Sequence, residues 1–206
     1  MNTMQFSTKE RILGAAEMLF AQHGFAGASL RQVTSAAKVN LAAVNYHFGS
    51  KENLINEVFR RRLDELNARR LSTLRAAQTE ANPRLEDILA AFIKPALALS
   101  LDRNGGGAFV RVLARAYAEH NESLRKFLSD NYGHVLKEFA AAFAALLPTL
   151  DKQELYWRLD IVSGALTYAM ADFGVIKRRG AVSEQAHCEL AAEHLIKFAS
   201  AGLRER

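Results

Sequence analysis

The sequence predicts an all-α protein of about nine helices, a three-helix head followed by a larger helical body. Three observations predict it. Apolar residues recur three and four positions apart over most of the chain, the spacing of a helix face. Serine, asparagine and aspartate stand just ahead of those runs, where helix N-caps belong. The 206 residues include only 3 prolines, and no strand-like alternation or internal repeat competes with the helical pattern.

The first helix follows Ser7-Thr8-Lys9-Glu10, a capping box whose serine and glutamate satisfy backbone N–H groups that a helix start leaves unpaired. Ile12, Ala15, Ala16, Leu19 and Phe20 form its apolar face, and Gly24 ends it. Ser29-Leu30-Arg31-Gln32 is a second capping box, with Leu30, Val33 and Ala37 facing inward. Asn40 caps a third helix whose apolar side is Leu41, Val44 and Phe48. Ser50 caps a fourth, which runs well past Leu66 and thins from Leu54, Ile55, Val58 and Phe59 into Arg60, Arg61, Arg62, Arg69 and Arg70. With Glu57, Asp64 and Glu65 nearby, that arginine run reads as a solvated face.

Asn82-Pro83 opens the fifth helix, with proline at its first position, and Pro95 bends it. Leu85, Ile88, Leu89, Phe92, Ala96 and Leu99 line it. Asp102–Gly107 is a loop. It lacks the Gly-Lys-Ser/Thr ending of a phosphate-binding loop. Phe109, Val112, Leu113, Ala116 and Tyr117 mark the sixth helix, and Leu124 through Phe143 a long seventh that Pro148 closes. Asp151 starts the eighth and Ser183 the ninth, which ends near Gly202. The domain division expected is 1–52 for the head and 53–206 for the body.

Net charge is +5. In residues 1–51, Lys9, Arg11, Arg31, Lys38 and Lys51 face only Glu10 and Glu17, so over half the excess lies in the first quarter of the chain. That favours a polyanionic partner. Cys188 is the lone cysteine, which excludes an intrachain disulfide and points to a reducing, cytoplasmic setting. Charges at Lys9, Glu10, Arg11 and Glu17 interrupt any export signal, and no uncharged run reaches membrane-spanning length. His23, His47, His120, His134, His187 and His194 show no zinc-ligand spacing with Cys188. Nucleophile-elbow and dinucleotide motifs are missing too. The expectation is no enzyme, no metal, no cofactor and no membrane partner.

Residues 29–51 carry the strongest signal. Two short capped helices joined by a tight turn can lay the second helix in the major groove of double-stranded DNA. Ala42 and Ala43 let the helix backbone approach base edges, and either methyl group can meet a thymine methyl. Asn45 can form a bidentate pair with adenine. Arg31 can reach a phosphate or a guanine, and Tyr46, His47 and Lys51 can hold phosphates. Tyr46 could instead close the small core, as Phe48 does. With the capping residues Ser29 and Asn40, these form the candidate DNA-binding set: Ser29, Arg31, Asn40, Ala42, Ala43, Asn45, Tyr46, His47 and Lys51.

Residues 8–55 resemble the helix-turn-helix domain of the tetracycline-repressor (TetR) family on Tyr46-His47-Phe48-Gly49-Ser50-Lys51-Glu52-Asn53-Leu54. Two departures stand out. Lys38 occupies a turn position that usually carries glycine, and Asn45 one that is often aromatic. Residues 39–51 are also similar to the fatty-acid-responsive PsrA subgroup, a likeness continued by Phe109-Val110-Arg111-Val112-Leu113 and Glu154-Leu155-Tyr156-Trp157-Arg158.

The resemblance implies a ligand-responsive regulator, a repressor by expectation, whose body binds an effector and dimerises. Helices eight and nine would form a homodimer interface through Leu159, Val162, Gly164, Ala165, Ala169, Leu190, Leu195 and Phe198, with Leu166 adding apolar surface. Helices five to eight would enclose an apolar effector such as a long-chain fatty acid or acyl-CoA. The lining residues would be Phe92, Leu99, Phe109, Arg111, Leu113, Tyr117, Phe127, Tyr132, Trp157, Leu166 and Met170, with Phe139 beside them. Arg111, Arg115 and Arg158 could neutralise its head group, or pair with Glu119, Glu154 or Asp160. Two other readings share these features: an efflux-type regulator sensing assorted amphipathic toxins, and a helical adaptor without DNA binding.

Overall fold

The computed structural model describes residues 7–102, 104–171 and 183–205. Among them nine helices run in order: α1 (Thr8–Gly27), α2 (Leu30–Ala37), α3 (Leu41–Phe48), α4 (Lys51–Gln78), α5 (Leu85–Ser100), α6 (Gly106–Ala118), α7 (Glu122–Leu146), α8 (Lys152–Met170) and α9 (Glu184–Arg204). The chain falls into two compact units. One holds α1 to α3, α4 up to Asp64, α6, and α7 up to Ser129. The other holds α4 from Glu65, α5, α7 from Asp130, α8 and α9. Among the described residues no helix is long and apolar enough to cross a membrane.

Local chemistry starts the helices where the sequence indicated. The Oγ of Ser7 accepts from the Glu10 N–H, that of Ser29 from Gln32, and that of Ser183 from Ala186. Asp151 caps α8 through the Gln153 N–H. The fifth helix differs. Pro83 precedes the N-cap, Arg84 takes the N-cap position in an extended conformation, and no side chain caps the helix start. The Arg84 guanidinium instead grips Asp87 at 2.9 and 2.8 Å, fastening the first turn from outside so that the helix begins at Leu85. The loop after α5 is shorter than expected because α6 starts at Gly106; its Arg103 lies outside the described residues.

In the first unit α1 packs against α2, α3 and α6. A chain of rings, Phe20–Phe25–Phe59–Phe109, links α1, α4 and α6 with centroids 5.5, 6.3 and 5.5 Å apart. Each ring is at least nine-tenths buried, and burying one such side chain is worth about 2 kcal/mol.

A buried ion pair joins the same helices. Glu17 on α1 accepts from Arg62 at 3.0 and 2.8 Å and from Arg61 at 3.2 Å, and Arg62 also donates to the Asn104 carbonyl at 2.6 Å. A Cβ on Gly105, whose φ is +108°, would sit 2.5 Å from both Arg62 Nη2 and Glu17 Oε1. Only glycine lets the loop come that close. The arginine run is therefore not one solvated face. Arg60 and Arg69 pair locally with Glu57 and Glu65, but Arg61 and Arg62 turn inward to α1.

At the far end of α1 the helix breaks at Gly24 (φ +74°). The Glu119 carboxylate at the end of α6 accepts from the Phe25 N–H at 3.1 Å, and it occupies the space a Cβ on Gly24 would need. Arg115 donates to the Gln22 carbonyl. Glu119 and Arg115 thus satisfy the backbone groups freed by the break.

In the second unit α5 packs against α8 and α9. Phe92 stacks edge-on to Phe139, with centroids 5.1 Å apart, and lies under the Arg70 guanidinium at 4.1 Å. Arg70 also donates to the Phe92 carbonyl at 2.9 Å. Pro95 lies inside the same helix and has no N–H to donate to the carbonyl four residues back, that of Ala91. Glu86 on α5 receives Arg204 and Ser200 from α9 at 2.5 and 2.6 Å. The Arg204 guanidinium, aided by Ser200, pulls the Glu86 carboxyl down to about 2.

Two stability outcomes follow. Glu17→Gln leaves Arg62 buried without its countercharge and should destabilise the protein by about 3 kcal/mol in denaturant titration. An unchanged midpoint would show the pair to be dispensable. Glu86 has a folded pKa below its unfolded one, so its contribution is complete above about pH 4.5 and fades as pH falls toward 2. Amide exchange in the last turns of α9, corrected for intrinsic rates, should accelerate across that window in the native protein, and Glu86→Gln should remove the dependence.

Candidate nucleic-acid interface

The interface is built on α2, α3 and the turn between them. Ser29 makes a complete capping box with Gln32. The end of α2 is a Schellman motif: the Val39 N–H reaches the Thr34 carbonyl at 3.0 Å and the Lys38 N–H the Ser35 carbonyl at 3.2 Å. Lys38 sits in the left-handed region at φ 54°, ψ 50°, the positive φ its place in the turn implied. Asn40 then caps α3 through the Ala43 N–H at 2.9 Å. At its other end the Gly49 N–H bonds Asn45 O, and the Asn53 side chain donates to Phe48 O.

Helix α3 has two faces. Val44 and Phe48 are buried and bind it to the head. Ala42, Asn45 and Tyr46, at i, i+3 and i+4, share the opposite face and are exposed, Tyr46 at 86%. Tyr46 does not close the small core, since its ring lies in solvent. It meets His47 edge-on, with centroids 5.1 Å apart. Leu41 departs from expectation. Placed on the apolar side by spacing, it is 45% exposed, because as the first helical residue it lies beyond the reach of the α1 core. Eight residues make a helix about 12 Å long, the scale of the major groove.

The remaining candidates frame this face. Arg31 is exposed at the start of α2, and Lys51, half-buried, is the first residue of α4, where Ser50 takes only the Asn53 N–H. Ala43 is half-buried and His47 exposed. The Ser29 hydroxyl and the Asn40 carboxamide oxygen are engaged in capping, so both act first on backbone geometry. From Ser29 to Lys51 there is no acidic residue. Lys38, which motif spacing did not select, shares this surface; its signal is the positive φ at a residue other than glycine.

The body candidates divide between the two units. In the first, Phe109 is wholly buried against Phe59, and Phe127 is buried beneath Arg60. Leu113 is half-buried, while Arg111 and Tyr117 are exposed. In the second, Phe92, Leu166 and Met170 are core, Leu99 and Tyr132 are half-buried, and Trp157 is 61% exposed. Trp157 lines an open hollow of about 350 Å³ with Leu136, Tyr156, Leu159 and Asp160. A larger cavity of about 570 Å³ lies between Leu97 and Ala98 of α5, with Leu101 just past it, and Cys188 and Ala192 of α9, a helix pair the sequence had not suggested. Of the three arginines, Arg158 pairs with Glu154 at 2.7 Å and donates to the Gly202 and Glu205 carbonyls at 2.7 and 2.6 Å. That arginine closes the end of α9.

The dimerisation candidates separate by helical phase. Leu159, Val162 and Leu166 belong to the inward stripe of α8 and are buried within the chain itself. Gly164 is exposed, with open space where a Cβ would stand, and Ala165, Ala169 and Leu195 are half-buried. The outward stripe of α8 is Trp157, Ile161, Gly164 and Tyr168, joined on α9 by Leu190 and Phe198, which are 50% and 68% exposed. Apolar residues stand on more than one side of α8, Leu159 and Val162 on one and Trp157 and Ile161 on another, so spacing alone does not say which side its own core takes.

Two family models match the chain. Residues 12–58 match the bacterial regulatory proteins of the tetR family, and residues 90–202 match the tetracyclin repressor-like C-terminal domain. A 60-residue stretch is 42% identical to the probable transcriptional regulator YttP of Bacillus subtilis, covering 27% of this chain and 29% of that one. The chain spans less than half the length of the curated relatives it matches. Among solved structures, the fatty acid degradation regulator FadR of Bacillus halodurans superposes with a TM-score of 0.65 at 17% identity, over 99% of this chain and all of that one. AibR, solved with isovaleryl coenzyme A and operator DNA, superposes with a TM-score of 0.63 at 16% identity, over 93% and 97%. At such identities the likeness establishes the fold. With its head and more than half its length matched by the family's own models, the chain belongs to the tetR family of bacterial regulatory proteins.

Proposed function

We propose that this chain is a ligand-responsive, DNA-binding transcriptional regulator acting as a homodimer, a repressor released from a palindromic operator by an apolar effector. Residues 1–52 read the DNA and 53–206 bind the effector and dimerise. The observation that carries the reading is the solvent face of α3: Ala42, Asn45 and Tyr46 aligned and exposed on a short capped helix. Asn45 is the side chain for direct base readout. Arg31, Tyr46, His47 and Lys51 hold phosphates, with the N-terminus of α4 adding its dipole.

The outward stripe of α8 and α9 supports the homodimer. Trp157, Ile161, Tyr168, Leu190 and Phe198 are too much exposed apolar surface for a helix pair to leave in water. A twofold dimer presents two recognition helices and asks for half-sites about 34 Å apart, or somewhat more.

For the effector, a long-chain fatty acid or acyl-CoA is the reading favoured by the likeness of residues 39–51 to the PsrA subgroup. FadR, a fatty acid degradation regulator, and AibR, solved with isovaleryl coenzyme A and operator DNA, point the same way. Release requires only that the ligand prefer the DNA-incompetent state; a hundredfold preference is about 2.7 kcal/mol.

Replacing Asn45 and Tyr46 together by alanine should weaken operator binding by at least about 2 kcal/mol while leaving thermal stability unchanged, since both side chains are exposed. Undiminished binding would remove α3 as the reader. Phe198→Glu should shift the protein from dimer to monomer by sedimentation. Oleate or its CoA ester should release the operator in titration; release by a flat aromatic cation alone would favour the efflux-type reading.

A further inference from the structure

Lys38 occupies the C′ position of the Schellman motif that ends α2, a site where glycine is preferred because a Cβ strains the left-handed backbone. Its φ of 54° makes it one of two residues other than glycine with positive φ among the described residues. The side chain is exposed, and its ammonium has no hydrogen-bond or ion-pair partner among those residues. A strained position that keeps a long cation, where glycine would relieve the strain, calls for a role outside the folded chain. The setting supplies one. Lys38 lies two residues before the N-cap of α3, on a stretch from Ser29 to Lys51 that carries Arg31, Lys38 and Lys51 and no carboxylate.

We infer that Lys38 is a phosphate-binding residue of the DNA interface, gripping the backbone beside the entering end of α3. This rests on the DNA-binding reading above and adds to it a contact that fixes register without reading bases. Binding there releases a condensed counterion, so the contact is visible in the salt dependence of affinity.

The test measures affinity against salt concentration for the full-length protein, on a duplex selected from a random-sequence pool and on an unrelated duplex. Two variants are compared with the native chain. Lys38→Gln removes the charge and keeps the Cβ, while Lys38→Gly removes the charge and the strain. Each should lower the slope of log affinity against log salt by about 0.9 per protomer, hence about 1.8 for a dimer on its site. The loss should be similar on both duplexes, and Lys38→Arg should restore the slope. Lys38→Gly should also melt no lower than the native protein, which separates lost binding from lost folding. A native slope in Lys38→Gln would overturn the assignment. Failure of the native protein to bind any duplex would instead overturn the DNA-binding reading itself.

Discussion

The arrangement of the first unit depends on one buried carboxylate. Glu17 lies almost out of water, and a charge placed there must be matched or the helix carrying it is driven outward. Arg61 and Arg62 match it, so α4 is held against α1 in one register, and the Asn104 carbonyl on Arg62 brings the approach to α6 into the same cluster. Apolar contacts alone would tolerate some sliding, because burial is not directional. Bidentate pairing is directional. The ring chain from Phe20 to Phe109 then fills a space whose walls are already set.

With α1, α4 and α6 so fixed, α2 and α3 have one place to go. They bury Val33, Ala37, Val44 and Phe48 against α1 and leave the other face of α3 in water. The candidate interface is thus the part of the head that the core has no use for. Its precision comes from backbone chemistry. A full capping box, a Schellman turn and an asparagine cap occupy consecutive stretches, so hydrogen bonds add to the packing of Val44 and Phe48 in setting the direction of α3.

In the second unit, arginines tie helices to one another. Arg158 closes the carbonyl end of α9, Arg204 ties that same end to Glu86, and Arg70 donates to the Phe92 carbonyl inside α5. Helix termini and kinks leave carbonyls that need donors, and a guanidinium supplies several at once. That use leaves Arg158 committed, which reduces the charge available in this unit to an anionic head group.

The sequence by itself determined the helices, the side-chain caps at Ser7, Ser29, Asn40, Ser50, Asp151 and Ser183 though not the start of α5, the turn at Lys38 and the two-faced character of α3. These depend on neighbours within a few residues, where propensity and hydrogen-bond chemistry act. It was enough, too, for the family resemblance, which is carried by one contiguous stretch. Charges three or four residues apart, such as Glu154 and Arg158, pair locally, but tertiary structure alone decided the distant partners of Glu17 and Glu119. Glu17 and Arg62 are forty-five positions apart, Glu119 and Phe25 ninety-four, and no local pattern links them. It also decided which apolar stripe of α8 became core, turning Leu159 and Val162 inward and Trp157 and Ile161 outward. A helix apolar on several sides has no preferred face until its neighbours supply one, and those neighbours are distant in the chain.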